Sequence, residues 1–250
     1  MAGGLQFVAP MNRLAATLAS LSLAAGALAL SACDPSTPAD QVRLAAWDSP
    51  ACSDLSCPMA LGAHTDLLVQ SRVAGLVQKT LVVTSSDPEV IAVERREVVD
   101  EQQGWTLHAL GRGVVDVVVT DPAGDEVGRA RLEVEPAFGA SIELGYGLAS
   151  PAYFHPSQVT GPDEEPGFDA RWEVNAGTDV YFPITPRGAG GEPLMGFFDY
   201  QFDHTAGLVV GNPLGLPELD VTAALPGRYP VTIRTAAPAQ ILATVLFVAK

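Results

Sequence analysis

From about residue 51 to the C-terminus, apolar side chains fall at every second position in short runs separated by turn-forming residues. Thr80–Thr84, Val90–Val93, Trp105–Leu110 and Val114–Thr120 each read as a strand. Between them, Ser85-Ser-Asp-Pro88, Gly111-Arg-Gly113 and Asp121-Pro-Ala-Gly-Asp-Glu126 supply the proline, glycine and aspartate that tight reversals need. The clearest alternation is Val127–Glu135. Gly128, Ala130, Leu132 and Val134 share one side, and Arg129, Arg131 and Glu133 share the other, as in a half-buried antiparallel strand. No stretch after residue 33 carries a convincing 3.6-residue period, so the expected class is all-β.

The pattern repeats. A shift of 114 residues places Gly113 on Gly227, Val117 on Val231, Val119 on Ile233, Leu132 on Leu246 and Val134 on Val248. Thr65-Asp66 falls on Thr178-Asp179 at a shift of 113, and Ala109-Leu110 on Ala224-Leu225 at 115. Near-constant offsets over so long a stretch predict two tandem β-sandwiches, 51–136 and 170–250. The intervening 137–169 reads as a loop-rich connection, part of which can supply the first strand of the second sandwich. Its acidic Gly161-Pro-Asp-Glu-Glu-Pro-Gly167 is expected as an exposed loop, because unpaired carboxylates are costly to bury.

Three pieces of the first sandwich carry a resemblance: Thr84-Ser-Ser-Asp-Pro-Glu-Val-Ile-Ala-Val93, Leu107-His-Ala-Leu-Gly-Arg-Gly113 and Val115-Asp-Val-Val-Val119. Together they resemble the bacterial immunoglobulin-like domains of the group 2 type over about residues 60–136. The text departs from that family at Ile91 and in the longer 94–104 connection. The resemblance implies Ig-like topology for both sandwiches.

The N-terminus follows different rules. Arg13 precedes an apolar run, Leu14–Ala29, and then comes Leu30-Ser31-Ala32-Cys33. One positive charge, an apolar segment and small residues make a secretory signal. The last four residues resemble the lipobox of bacterial lipoproteins, which implies cleavage of residues 1–32 and lipid on Cys33. Met11 would serve equally well as the start. The alternative is an uncleaved membrane anchor, but the run barely reaches spanning length and contains Thr17, Ser20, Ser22 and Gly26. Two or three acyl chains hold a protein stably where one does not. Asp34 resembles the inner-membrane retention signal of enteric bacteria, whereas other bacteria use other rules, so the choice of membrane stays open. Residues 33–50, rich in Pro, Ser, Asp and Ala, read as a flexible tether.

With Cys33 assigned to lipid, Cys52 and Cys57 remain of the three cysteines, and an oxidising envelope would join them. Charge excludes one partner class. With 14 basic against 29 acidic side chains, a net −15, the chain lacks the basic stripe of a nucleic-acid binder. Catalytic motifs are absent from the text, and His64, His108, His155 and His204 stand apart from one another without metal-ligand spacing. Asp203-His204-Thr205 reads as a turn. The acidic stretches Asp121–Glu126 and Asp163–Asp169 lack EF-hand spacing. In Leu194–Phe202, alternation puts Phe198, Tyr200 and Phe202 on one face and Phe197, Asp199 and Gln201 on the other, and core packing is the expected use.

The sequence therefore points to a lipid-anchored cell-envelope protein with no catalytic residues, metal or cofactor, acting as a structural and interaction module. Its candidate partners are the membrane through Cys33 and an envelope protein or glycan. Tyr146, Tyr153 and Phe154, which sit in loop-like sequence, are the candidate contacts for a glycan or protein ligand, the adhesin-like alternative. An enzyme built from carboxylates converging across the two domains is the third possibility.

Overall fold

A computed structural model describes residues 41–46, 52–72, 80–96, 104–144, 159–211 and 218–250, all within one compact unit, Ser36–Lys250. Among them are seventeen strands and no α-helix. The first eight are β1 (Val42–Ala46), β2 (Met59–Ala60), β3 (His64–Ser71), β4 (Val82–Ser85), β5 (Ile91–Arg96), β6 (Gly104–Ala109), β7 (Gly113–Thr120) and β8 (Glu126–Glu135). They form two four-stranded sheets of order β1-β3-β6-β5 and β2-β8-β7-β4. The ninth to the seventeenth are β9 (Gly139–Ile142), β10 (Val159–Glu165), β11 (Phe168–Val174), β12 (Asp179–Arg187), β13 (Tyr200–His204), β14 (Leu208–Gly211), β15 (Glu218–Ala223), β16 (Gly227–Thr235) and β17 (Gln240–Ala249). Their sheets run β14-β15-β12-β9 and β10-β11-β17-β16-β13.

The second pair of sheets repeats the first strand for strand, with β10 added at one edge. β15, β16 and β17 each begin 114 residues after β6, β7 and β8. In both sandwiches the first strand is split. One part pairs antiparallel in one sheet (β1 with β3, β9 with β12), and the other pairs parallel with the last strand of the facing sheet (β2 with β8, β11 with β17). This is immunoglobulin-like topology, so the chain is all-β with two tandem Ig-like sandwiches.

Alternation dictates the two cores. Trp105, Leu107, Val117, Val119 and Leu132 fill the first sandwich. The second is built around Trp172, Phe182 and Phe247, whose rings pack at 5.1 Å centroid spacings with tilts of 55° and 57°. Such tilted pairs suit the ring quadrupole and are worth about 1 kcal/mol each beyond their buried area.

Several boundaries differ from the sequence expectation. Residues 42–46 belong to β1, not to the tether. Val42 and Ala46 are buried, and a Cβ on Gly128 would lie 2.2 Å from Val42 Cγ2, so β1 lies against β8 only because that position is glycine. Of the described residues in the expected connection 137–169, most are in strands: β9 follows β8 after three residues, and Gly161–Gly167 lies in the β10–β11 hairpin. Its carboxylates stay at the surface, Asp163 and Glu165 paired with Arg171 and Glu165 also with Arg228, while Glu164 is exposed. His204 ends β13 opposite Val231 instead of sitting in a turn, and Asp203 pairs with Arg234.

The sandwiches are locked differently. Cys52 and Cys57 form a disulfide with Cα atoms 5.5 Å apart, closing a short loop beside β1. Closing so short a loop stabilises by about 2 kcal/mol. In the second sandwich, near the start of β16, the Tyr229 hydroxyl donates to the Leu225 carbonyl at 2.8 Å, the tyrosine corner of Ig-like folds. A shift of 114 puts Val115 at the equivalent place in the first. Tyr229→Phe leaves that carbonyl without its donor and should lower stability by about 1 kcal/mol, read as a smaller urea midpoint with an unchanged slope.

Candidate functional site

The region with the densest chemistry is the joint between the sandwiches. The segment 188–199, between β12 and β13, leaves the second sandwich and pairs with the first. The Met195 amide donates to the Pro58 carbonyl at 2.7 Å, and the Ala60 amide donates to Met195 at 3.0 Å. Phe197 and His64 exchange both backbone hydrogen bonds at 2.9 Å. Met195 is fully buried within the core of the first sandwich, beside Met59. Between the two paired residues, Gly196 has φ +94°, and a Cβ there would meet the His64 carbonyl at 3.0 Å and the Ala63 Cβ at 3.1 Å. Glycine is required on both counts.

Around this graft the joint is apolar. Ala60, Ala63, Ala137, Leu194, Phe198 and Leu242 form a buried cluster that includes residues of both sandwiches. The turn before β17 closes over it. Pro238 packs on Gly62, where a Cβ would lie 3.0 Å from Pro238 Cδ, and the Gln240 side-chain amide donates to the Ala137 carbonyl at 2.8 Å.

At the edge of the cluster, two imidazoles meet. His64 on β3 faces His108 on β6 with ring centroids 5.9 Å apart, and its other neighbour is the Phe197 ring at 4.0 Å. His108 Nε2 lies 3.1 Å from a Glu94 carboxylate oxygen. Asp66 accepts from the Thr106 hydroxyl at 2.8 Å and pairs with Arg96. Burial holds the His64 pKa below its ordinary 6.5, with His108 and Arg96 acting in the same sense and Asp199 and Asp66 opposing. Imidazoles beside carboxylates invite a metal or proton-transfer reading. Here the carboxylates already serve Arg96, Thr106 and His108. Among the described residues no group of three or more His, Cys, Asp or Glu is placed to hold a metal ion.

A second acidic group lies on the β12–β15 face, where Asp179, Glu218 and Asp220 come together and the Thr222 hydroxyl donates to Asp179. Asp220 has a buried oxygen without a hydrogen bond, and burial, then Asp179 and Glu218, push its pKa up.

Cys52 and Cys57 are joined as the sequence implies. Cys33, Tyr146, Tyr153, Phe154 and His155 lie outside the described residues. In the aromatic stretch Phe198 meets Tyr200 edge-on at 6.0 Å, Tyr200 stacks on the half-buried Phe202 at 6.3 Å, and Phe197 is buried against His64. Sequence reasoning missed the joint itself. The available signal was Leu194-Met-Gly-Phe-Phe198, too apolar for a solvated loop and carrying a central glycine.

No protein-family model matches the chain, and no curated protein sequence does either. Solved structures do align. Domains 5–6 of the S-layer protein SbsC are 16% identical, with 77% of this chain and 92% of that one covered and a TM-score of 0.32. The Escherichia coli adhesin FdeC is 15% identical over 85% of this chain and 65% of its own, at 0.28. The integrin-binding protein invasin is 12% identical over 84% and 40%, at 0.31. The Ig-like assignment stands on this chain's own strand order.

Two outcomes check the joint. Met195→Ala should cost about 3 kcal/mol, the usual range for emptying a buried methionine site, and should split a single unfolding transition into two in calorimetry. The second concerns pH. Because His64 has a depressed pKa when folded, the unfolded chain takes up the proton first as acid is added. The stability this imidazole contributes is thus present above about pH 6.5 and falls below it. His64→Gln should flatten that part of the profile of urea midpoint against pH.

Proposed function

We propose that the chain is a lipid-anchored cell-envelope protein whose two Ig-like sandwiches act as a non-enzymatic structural and interaction module. The observation that carries this reading is the joint. A spacer conveys position only if its links resist bending, and domains joined by a free linker move relative to one another by default. Here the link is three residues long, the 195–197 segment pairs with the neighbouring sandwich, and Met195 fills that neighbour's core. The two sandwiches meet through the buried side chains of Leu194, Phe198, Leu242 and three alanines, a packed contact that resists bending.

The anchor rests on the sequence. Leu30-Ser31-Ala32-Cys33 follows an apolar run behind Arg13, and a chain that starts at Cys33 reaches β1 after eight further residues. Secretion also accords with the disulfide, since oxidising compartments keep such bonds. The net charge of −15 suits a soluble exported surface.

Intact mass of protein extracted from bacterial membranes tests the reading. The expected species lacks residues 1–32 and carries diacylglycerol on Cys33. The Cys33→Ala variant should lose the lipid mass and leave the detergent phase. A full-length chain with an unmodified Cys33 thiol would overturn the anchor.

A further inference from the structure

The first sandwich carries a groove whose charge runs against that of the whole molecule. It lies between β1 and β8, beneath the disulfide loop, and encloses about 400 Å³. Arg43, Arg72, Arg129 and Arg131 line it together with Asp54 and Leu55. Four of the chain's 14 basic side chains therefore converge on one surface of a protein with 29 acidic ones. The arrangement follows from register. Arg129 and Arg131 stand two apart on the outward face of β8, Arg43 is on the exposed side of β1, and Arg72 follows the end of β3.

Counter-charges account for only part of this. Arg129 is held by Glu126 and Asp116 at 2.6 and 2.7 Å. Asp54 caps the Ser56 amide at 3.1 Å from the rim, and Glu133 flanks Arg131 in the adjoining hollow. Arg43, Arg72 and Arg131 form no ion pair among the described residues, so three guanidinium groups are left facing the groove. Guanidinium is a planar double donor matched to phosphate oxygens.

Position says which phosphate. The Arg72 amide donates to the Gln41 carbonyl at 2.8 Å, and the Gln41 amide donates to Val127 at 3.2 Å. The groove thus opens at the pole where the chain enters the first sandwich, opposite the pole that carries the joint. Gln41 is eight residues beyond Cys33, at most about 28 Å of extended chain. The geometry points to this groove as a seat for phosphate-bearing headgroups of the anionic membrane in which the chain is tethered, an inference that rests on the lipoprotein reading. The acidic remainder of the surface is repelled by such a membrane, so this face alone turns toward it. The contact fixes the orientation of the first sandwich relative to the bilayer. It does not create the attachment, since each arginine adds only about fivefold to surface affinity.

The test uses the intact lipidated protein on vesicles of phosphatidylcholine alone or mixed with phosphatidylglycerol, followed by amide hydrogen exchange. Attachment to both vesicle types reports the Cys33 anchor; loss from both overturns the anchor, independently of the groove. On anionic vesicles, exchange at residues 41–44 and 127–131 should slow about tenfold or more relative to neutral ones, and high salt should erase the difference. The triple variant Arg43→Gln, Arg72→Gln, Arg131→Gln should stay attached, keep wild-type exchange in the second sandwich and lose the slowing. Asp54→Asn should increase it. Equal exchange on the two vesicle types, or slowing that survives in the triple variant, overturns the proposal. The same slowing from inorganic phosphate alone would overturn the lipid assignment in favour of a free anion.

Discussion

Four backbone hydrogen bonds between residues 58–64 and 195–197 constrain the rest of the structure more than any side chain does. The short β2 has β8 on one side, and its other edge would be open without them. An unpaired edge invites association with other chains, and here the neighbouring sandwich occupies it. The pairing also delivers Met195 to a space in the first core that the first sandwich leaves unfilled. The first sandwich is thus complete only when the second is folded beside it. That dependence explains why the small residues Ala60, Gly62, Ala63 and Gly196 gather where the backbones approach.

How much of this was legible depends on where each signal resides. The 114-residue repeat was legible because β6, β7, β8 and their counterparts are central or long strands, whose inward positions must be apolar in both copies. The disulfide was legible from cysteine count and compartment. By contrast, β1 and β9 are short edge strands held by backbone pairing, so Val-Arg-Leu-Ala-Ala and Gly-Ala-Ser-Ile carry little of the alternation that marks a strand. The β10 strand is written in proline and carboxylates, and its residues from Thr160 to Glu165 are exposed or half-buried. In Leu194–Phe202 the expected alternation holds only from Asp199 onward, whereas Leu194–Phe198 are all buried, Phe197 included, and a period cannot say whose interior receives a side chain. Met195 and Phe197 serve the other sandwich. The lipobox-like Leu30–Cys33 and the aromatics Tyr146, Tyr153 and Phe154 lie outside the described residues.

Despite their common topology, the sandwiches are secured at different points. The first holds its entering strand with the Cys52–Cys57 loop, whose Ser53 carbonyl accepts from the Ala46 amide at the end of β1. The second holds its corner with Tyr229 and fills its centre with Trp172, Phe182 and Phe247. The covalent clasp thus sits directly after the first strand. Further along, ordinary packing and one hydroxyl suffice.

Rigidity and charge then act together. A stiff joint means that the two sandwiches share one orientation, so anything that turns the first turns the second. Arg43, Arg72 and Arg131, which form no ion pair among the described residues, give the first sandwich a charge asymmetry that a net charge of −15 spread evenly would not provide. Were the joint loose, its direction would be lost within the linker. With Met195 seated in the first core, it extends to the second sandwich and the carboxylates of its β12–β15 face.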